Sequence, residues 1–330
     1  MSNKVLLDVK NLKTHLFTDD GIVKAVDGVD IQLNRGESLG IVGESGSGKS
    51  MVSLSIMGLV PNPPGEIVDG EINFNGKNLL ELPESEYRKM RGNNISMVFQ
   101  EPMTSLNPVF TIGKQIMEVF IYHQNLSKNE AKEKAIEMLK LVGIPMPEER
   151  LNSYPHQLSG GMRQRVMIAI SLACQPELLI ADEPTTALDV TIQAQILRLM
   201  KDLQTQLGTS IILITHDFGI VSEIADKIVV MYAGKIVEYS DIETIFSSPK
   251  HPYTKGLLNS IPNIDNPTDN LYAIPGTVPS PFEEMVGCSF YPRCKNAMPI
   301  CKQKKPPLVK LDEENSVRCW LYERDDVDDE

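Results

Sequence analysis

Residues 43–50 carry the most informative motif of the chain, Gly43-Glu44-Ser45-Gly46-Ser47-Gly48-Lys49-Ser50. The motif matches the pattern G-x-x-x-x-G-K-[ST], and it follows an apolar run from Ser38 to Val42, as a phosphate-binding loop does. Glycines let backbone N–H groups turn inward around phosphate oxygens, and the helix that follows adds the positive end of its dipole. We therefore predict that all of these residues bind a nucleotide, with Lys49 at the outer phosphates and the Ser50 hydroxyl on Mg²⁺.

Short apolar runs alternate with helical patterns on both sides of this loop, up to about residue 245. The runs that we predict as strands are Val5 to Val9, Ser38 to Val42, Ile95 to Phe99, Leu178 to Ala181, Ile211 to Ile214 and Ile228 to Met231. Several are apolar throughout, which indicates strands buried on both faces of a parallel sheet. The stretch from about 105 to 175 is predicted to be mainly helical. One of its helices begins at a capping box, Ser127 to Glu130.

Two adjacent acids follow one of these apolar runs, in Leu178-Leu179-Ile180-Ala181-Asp182-Glu183-Pro184. Neighbouring side chains on an extended segment point in opposite directions, so the two acids can do different work. We predict that Asp182 holds the Mg²⁺ shell and that Glu183 orients or deprotonates an attacking water. In a chain without a phosphate loop, the same pair would be read as solvated acids at the end of a strand.

A second candidate phosphate-binding turn lies at Leu158-Ser159-Gly160-Gly161-Met162-Arg163-Gln164-Arg165. A Ser-Gly-Gly turn that opens a helix is a natural anion site. A second such site has no use within one chain, but it can complete the nucleotide site of a neighbouring subunit. With this segment the chain resembles the ABC ATPase family, whose signature is LSGGQ; Met162 departs from the fifth position. The resemblance implies that Ser159, Gly160, Gly161 and Asp189 contact ATP across a dimer interface.

Three further residues match positions of the family pattern. Gln100 resembles the glutamine that touches Mg²⁺ or water and joins the core to the helical block. His216, which follows the run Ile211 to Ile214, resembles the histidine that contacts the γ-phosphate. Phe17 is the candidate for the aromatic residue that stacks on adenine, although an ordinary core or surface Phe is the alternative. The resemblance thus implies that Glu183, His216 and Gln100 are catalytic and that Ser50, Gln100 and Asp182 hold Mg²⁺.

The composition limits the classes of function. The net charge is −12, from 32 basic and 44 acidic residues, which opposes sequence-independent binding of nucleic acid. Residues 324–330 read as an acidic, solvated tail. We find no apolar run long enough to cross a bilayer and no signal peptide, so we expect a cytoplasmic protein that reaches the membrane through partner subunits. A soluble ABC protein acting on nucleic acid or ribosomes is a less favoured alternative, because no heptad array separates the motifs.

Proline-rich sequence after residue 248 resembles the C-terminal extension of oligopeptide and dipeptide importer ATPases. The segments that carry the resemblance are Ser248 to Thr254 and Ile274 to Pro281. It implies a peptide importer at the cytoplasmic face of the membrane, with a second ABC ATPase subunit, two membrane permease subunits and an extracellular solute-binding protein. A heterodimer of ATPase subunits is expected and a homodimer is the alternative. An importer of nickel or another small solute remains the alternative function.

Four cysteines crowd into the extension, at Cys288, Cys294, Cys301 and Cys319. Four thiolates suit either Zn²⁺ or a [4Fe–4S] cluster. The spacing C-x5-C-x6-C-x17-C lacks the tight knuckles of structural zinc sites, and the resembling peptide-importer ATPases are associated with a cluster. We therefore predict a [4Fe–4S] cluster, with Zn²⁺ or unligated thiols as alternatives.

The expected architecture is a P-loop α/β core with an antiparallel β edge, a helical subdomain and a small loop-rich extension. We place the ABC ATPase domain at residues 1–247, with its helical subdomain at about 105–175, and the extension at 248–323. ATP and Mg²⁺ are the expected ligands of the first domain.

Overall fold

The computed structural model of the protein describes residues 5–100, 105–185, 188–261, 273–283 and 285–323. Across those residues, no helix is both long enough and apolar enough to span a lipid bilayer. The predicted acidic tail at 324–330 lies outside the described residues.

The strands of the described residues form two sheets, one of four strands and one of eight. Their bounds are β1 Val5–Thr18, β2 Gly21–Asn34, β3 Ser38–Val42, β4 Gly65–Phe74, β5 Lys77–Asn78, β6 Ile95–Val98, β7 Leu178–Asp182, β8 Ser210–Thr215, β9 Lys227–Tyr232, β10 Lys235–Asp241, β11 Val309–Lys310 and β12 Ser316–Val317. The smaller sheet, β2-β1-β4-β5, is antiparallel. In the larger sheet, β11-β12-β10-β9-β3-β8-β7-β6, the strands from β9 to β6 are parallel and the others antiparallel. The predicted α/β core with an antiparallel edge is confirmed.

Five of the eleven α-helices of the described residues lie between β6 and β8. The bounds of the eleven are α1 Lys49–Met57, α2 Glu84–Met90, α3 Ile112–Gln124, α4 Lys128–Leu141, α5 Pro147–Arg150, α6 Gly160–Leu172, α7 Val190–Leu207, α8 Phe218–Ile224, α9 Ile242–Ser247, α10 Pro252–Asn259 and α11 Pro299–Gln303. Helices α3, α4 and α6 pack on one another as the helical block. Helix α4 begins at the predicted capping box, in which Ser127 and Glu130 bond each other's backbone N–H.

The parallel strands separate two apolar cores, which explains why their sequences are apolar throughout. Leu39 and Ile180 belong to the core shared with the four-stranded sheet and α1. Leu179 and Leu213 lie in the core shared with the helical block. Successive strand residues point to opposite faces, so a strand covered on both sides needs an apolar residue at every position. Each fully buried Leu or Ile side chain contributes about 1.5–3 kcal/mol by leaving water.

Several strands, among them β2, β4 and β10, were not predicted from the sequence, because they contain no continuous apolar run. Strand β2 alternates between buried and exposed positions, and its pairing with β1 shifts register between Val9 and Leu12 and again between Thr14 and Leu16. Bulges of this kind break the period of two on which sequence patterns depend. For the same reason the predicted strand at Val5 to Val9 continues to Thr18.

The extension is built onto the ATPase core. Strand β12 pairs with β10, with Val317 opposite Glu238. Tyr253 and Phe290 belong to the core on the helical side of the sheet. Glu238, which is only 2% exposed, accepts hydrogen bonds from the backbone N–H groups of Lys250 at 2.6 Å and His251 at 2.8 Å. The extension therefore shares both a sheet and an apolar core with the domain that precedes it.

Candidate active site

The phosphate loop connects β3 to α1, as the sequence predicts. Gly48 has φ +101, and a Cβ there would lie 2.2 Å from the carbonyl oxygen of Ala25. Gly43 has φ +155, and its Cβ would lie 2.3 Å from the carbonyl oxygen of Met231. Only glycine fits these two positions, because any side chain would collide with backbone. The loop is thus held closely against β2 and the end of β9.

Lys49 lies inside this loop and is 5% exposed. Its Nζ donates to the carbonyl oxygens of Gly43 at 2.8 Å and Glu44 at 3.0 Å. Burial lowers the pKa of Lys49, while the carboxylates of Glu183, Asp182 and Glu44 act in the opposite direction. Among the described residues, no group forms a hydrogen bond with the buried hydroxyl of Ser47. A buried cation and an unsatisfied hydroxyl in one loop suit a phosphate group, which would satisfy both.

Ser50 and Asp182 meet beside this lysine. The Ser50 Oγ donates to Asp182 Oδ1 at 3.1 Å, and Asp182 is 5% exposed. Burial raises the pKa of Asp182, and the neighbouring Glu183 adds to that shift, whereas Ser50 and Lys49 oppose it. The Ser50 hydroxyl oxygen in α1 and the Asp182 carboxylate oxygens at the end of β7 are ligands of the kind that Mg²⁺ prefers. These residues fit the metal that the sequence predicts.

Glu183 is the meeting point of the predicted catalytic residues. Gln100 Nε2 donates to Glu183 Oε2 at 3.0 Å, and His216 Nδ1 lies 3.2 Å from Glu183 Oε1. The Glu183 backbone has φ 45, and its N–H donates to the carbonyl oxygen of Ile214 at 2.8 Å. Gln100, Glu183 and His216 follow β6, β7 and β8, and parallel neighbours bring their carboxyl ends to one edge of the sheet.

Phe17 lies near the end of β1 and is 46% exposed, with Ile22 as its cross-strand partner. Ile22 borders a cavity of about 600 Å³ that reaches the phosphate loop. The lining of this cavity includes Val23, Ala25, Ser45, Gly46 and, from the extension, Phe282. An exposed aromatic beside a cavity of this size is compatible with the predicted base-stacking role. The role itself stays a prediction.

Of the predicted cross-subunit residues, Ser159, Gly160 and Asp189 are exposed and Gly161 is half-buried. Ser159 caps α6, and its Oγ accepts from the Met162 N–H at 3.4 Å. Asp189 caps α7, and its Oδ1 accepts from the Ile192 N–H at 2.9 Å. A Cβ on Gly161 would lie 2.7 Å from a methyl carbon of Ile192, so the two helix starts touch. Thr186 and Ala187, which precede Asp189 by two to three positions, lie outside the described residues.

The four cysteines of the extension lie near one another. The pKa of the Cys288 thiol rises to about 11, chiefly through burial, and the neighbouring Cys301, Cys319 and Cys294 add to the shift. The Cys288 N–H donates to the Cys301 carbonyl oxygen at 2.8 Å. All four are free thiols. Within the described ranges, no three or more His, Cys, Asp or Glu side chains are grouped to hold a metal ion. A metal or cluster at these thiols therefore stays a prediction.

The structure also brings in two residues that the sequence did not indicate. Arg293 forms an ion pair with Glu44 of the phosphate loop, and the Tyr253 hydroxyl accepts a hydrogen bond from the Glu44 N–H. These contacts join residues 249 and 209 positions apart. No local pattern signals such pairings, although Tyr253 lies in the extension segment that was recognised.

Comparisons with known proteins identify the family to which the chain belongs. The family model described as ABC transporter matches residues 26–186, and the model for the oligopeptide/dipeptide transporter C-terminal region matches residues 237–301. The chain is 29% identical to the ATP-binding cassette MJ0796, whose dimeric post-hydrolysis structure contains ADP and Pi. The TM-score is 0.65, over 72% of this chain and 99% of that chain. The fold is that of an ABC transporter ATPase.

Curated relatives indicate which kind of ABC transporter ATPase the chain resembles. The chain is 57% identical over 320 residues to the oligopeptide transport ATP-binding protein AppD of Bacillus subtilis, covering 97% of this chain and 98% of that protein. It is 50% identical over 306 residues to OppD of Escherichia coli, covering 93% and 90% respectively. The chain belongs to the family of ATP-binding proteins of oligopeptide and dipeptide ABC transporters. The family resemblance and the ATPase activity predicted from the sequence are confirmed.

Proposed function

We propose that this protein powers the import of oligopeptides or dipeptides by binding and hydrolysing Mg-ATP. The observation that carries the proposal is the convergence of Gln100 and His216 on the Glu183 carboxylate, beside the pair Ser50 and Asp182. Peptide as the solute is supported by the names of the relatives, which are called oligopeptide transport ATP-binding proteins. Those names favour peptide over nickel or another small solute.

Each residue of the site has a separate task. Lys49 and the loop backbone bind the phosphates, with Gly43, Glu44, Ser45, Gly46, Ser47 and Gly48 forming the cradle. Ser50, Asp182 and Gln100 hold Mg²⁺, which neutralises phosphate charge when bound. Glu183 accepts a proton from the attacking water, and Gln100 and His216 fix the orientation of its carboxylate. Phe17 stacks on the adenine at the side of the cavity.

The second half of each ATP site comes from another ATPase subunit. The first turns of α6 and α7 carry the residues that we propose for this contact, Ser159, Gly160, Gly161 and Asp189. Backbone N–H groups at a helix N-terminus favour the binding of an anion. The dimeric state of MJ0796 with ADP and Pi supports this arrangement. We infer that closure of a dimer on ATP and its reopening after hydrolysis drive transport. A heterodimer of two similar subunits is the proposed form, and a homodimer is the alternative.

The remaining partners follow from the transport role. We propose that the protein sits at the cytoplasmic face of the cell membrane, held there by two permease subunits. An extracellular solute-binding protein delivers the peptide and sets its specificity, because the ATPase does not need to touch the solute. We propose no role for nucleic acid, since the net charge of −12 opposes it.

We also propose a [4Fe–4S] cluster in the extension. Burial and the neighbouring cysteines raise the pKa values of Cys288, Cys294 and Cys319, and the sequence spacing C-x5-C-x6-C-x17-C is wider than the tight knuckles of structural zinc sites. A cluster is bulkier than Zn²⁺ and suits this spacing better. Its role would be to pin a loop-rich segment that has little core of its own.

Peptide uptake tests the transport role directly. Cells that lack this subunit should lose uptake of a labelled peptide, and the intact chain should restore it. The variant K49A should fail to restore uptake, because the phosphates lose their buried cation. K140A, which alters an exposed lysine paired with Glu148, is the matched control and should restore it fully. Undiminished peptide uptake in the deletion strain would rule out the peptide assignment while leaving the ATPase activity intact.

A further inference from the structure

Glu44, the second residue of the phosphate loop, is held by two residues of the extension. Arg293 Nη1 donates to Glu44 Oε2 at 2.7 Å, and Nη2 donates to Oε1 at 2.9 Å. The Tyr253 hydroxyl accepts from the Glu44 backbone N–H at 2.9 Å. The extension thus contacts both the side chain and the backbone of one residue in the nucleotide site.

Arg293 is held in place by its own surroundings. Its side chain is 4% exposed, and its Nε donates to the Pro275 carbonyl oxygen at 3.1 Å. Nη1 also donates to the Tyr232 hydroxyl at 3.4 Å. The guanidinium lies 5.9 Å from the Phe290 ring centroid. Because these contacts already fix the planar Arg293 guanidinium, it loses little conformational entropy when it binds the Glu44 carboxylate through two hydrogen bonds.

Tyr253 is equally fixed. It is fully buried, and its ring packs against Tyr232 at 4.7 Å and Phe290 at 5.3 Å between centroids. Tyr232 is the last residue of β9, a strand of the parallel sheet. The Tyr253 hydroxyl, which accepts the hydrogen bond from the Glu44 N–H, therefore belongs to a rigid aromatic cluster that includes residues of both the core and the extension.

The charge of Glu44 gives this contact a functional meaning. The loop binds an anion, and a bare carboxylate within it would repel the phosphates. Arg293 supplies the opposite charge. The Glu44 carbonyl oxygen also accepts a hydrogen bond from Lys49 Nζ at 3.0 Å, so the position of Glu44 affects the lysine that meets the phosphates.

We propose that Arg293 and Tyr253 are positioning residues for ATP, which hold Glu44 and offset its charge so that the phosphate loop keeps its nucleotide-binding shape. The proposal rests on the proposed phosphate-binding role of Lys49 and its loop. It gives the extension a task in nucleotide binding in addition to any ligand that its cysteines hold.

A double-mutant cycle on the full-length chain tests this proposal. We expect R293M to bind a fluorescent ATP analogue, in the presence of Mg²⁺, about tenfold more weakly than the unaltered protein. In steady-state hydrolysis, KM should rise while kcat changes little, because Arg293 touches the loop and not the reacting atoms. The double variant E44Q/R293M should recover most of the lost affinity, since the repelling charge is gone. Y253F should weaken binding by a smaller factor.

R318M is the matched control. Arg318 is a half-buried arginine of the extension whose Nε donates to the Ile236 carbonyl oxygen at 3.0 Å, away from the phosphate loop. It should lower Tm without changing the affinity for ATP. Unchanged affinity in R293M, or equal losses in R293M and R318M, would overturn the proposal. So would a double variant that recovers nothing. Failure of the unaltered protein to bind ATP would instead contradict the proposed phosphate-binding role of the loop.

Discussion

His216 contacts Glu183 through Nδ1 and Oε1, which lie 3.2 Å apart. The two residues follow neighbouring parallel strands, β8 and β7, and the rigid sheet therefore sets their separation. Gln100 binds the other oxygen of the same carboxylate at 3.0 Å. A carboxylate held at both oxygens keeps one orientation, which is what a residue that must receive a proton from a bound water needs.

The variant E183Q should bind Mg-ATP but hydrolyse it at least about a hundredfold more slowly, because an amide keeps the shape of the side chain and cannot accept the proton. Phosphate release measures hydrolysis, and fluorescent nucleotide titration measures binding. E177Q is the control, since Glu177 pairs with Arg35 at 2.6 Å outside the site. Hydrolysis at the normal rate in E183Q would exclude Glu183 as the base.

The variant H216A should slow hydrolysis by about ten- to a hundredfold with little change in ATP affinity, because the Glu183 carboxylate loses its contact with His216. The same phosphate-release assay applies. H156A alters an exposed histidine that stacks on Tyr154, and it should leave the rate unchanged. Equal rates in H216A and H156A would remove His216 from the mechanism.

Substitution at Ser159 should separate ATP binding from subunit pairing. In an E183Q background, where ATP persists, light scattering should detect ATP-driven pairing. S159F should abolish that pairing without weakening the binding of ATP to the phosphate loop, because the bulky ring obstructs the exposed helix start. S127F disturbs the cap of α4 in the same way and should still pair. Normal pairing of S159F would contradict the cross-subunit role. If E183Q alone stays monomeric with ATP, two copies of this chain do not pair, and only the heterodimer remains.

Protein purified without oxygen should contain about four irons and as many acid-labile sulfides per chain, with the absorption of a [4Fe–4S] cluster. C294S should lose them, because the cluster loses one of its four thiolates. C174S removes a cysteine outside the extension and should keep the iron. One zinc and no iron would establish a structural zinc site instead.

Stability should fall with decreasing pH partly because of His251. This residue is 1% exposed, and burial lowers its pKa from 6.5 to about 3. Between these two values the unfolded chain binds the proton and the folded chain does not. The free energy of unfolding therefore rises with pH across this window, by about 1.4 kcal/mol per pH unit from this group alone, and the contribution levels off above the upper value.

H251N removes this titration while keeping an acceptor for the Tyr253 N–H, which His251 Nδ1 binds at 3.0 Å. Denaturant unfolding at several pH values between about 4 and 7 should give a shallower slope for H251N than for the unaltered chain. H156N, at an exposed position, should keep the original slope. If the free energy of unfolding changes with pH at the same rate in H251N and in the unaltered protein, His251 is not the source of this pH dependence.

The grouping of the candidate catalytic residues at one edge of the sheet was predictable, because these residues lie within short local patterns. Lys49, Asp182 and His216 each directly follow an apolar strand or its loop, and parallel strands deliver such residues to one edge of a sheet. The sequence carried no comparable signal for Arg293. Its partner Glu44 is 249 residues away, and the pairing depends on how the extension packs against the core.

The extension was recognised as a segment, but its attachment to the core was not predictable. Strands β11 and β12 contain two residues each, which is too short for any periodicity to appear. Strand β12 pairs with β10 and β11 pairs with β12; both pairings depend on tertiary packing, and neither Val309 nor Val317 reveals them. Glu238 is similarly ambiguous, because a buried acid bound by two backbone N–H groups looks in the sequence like any surface glutamate.

The pairing of β12 with β10 also limits where this chain can be shortened. The Arg318 N–H donates to the Val237 carbonyl oxygen at 2.8 Å and covers the outer side of β10. A protein that stops at residue 247 would keep the pairing of β10 with β9 but leave the outer edge of β10 unpaired, where its free backbone groups could pair with a strand from another molecule. Such a fragment would tend to self-associate, although it keeps every nucleotide-binding motif. We therefore expect the hairpin of β11 and β12 to protect a sheet edge that the preceding domain provides.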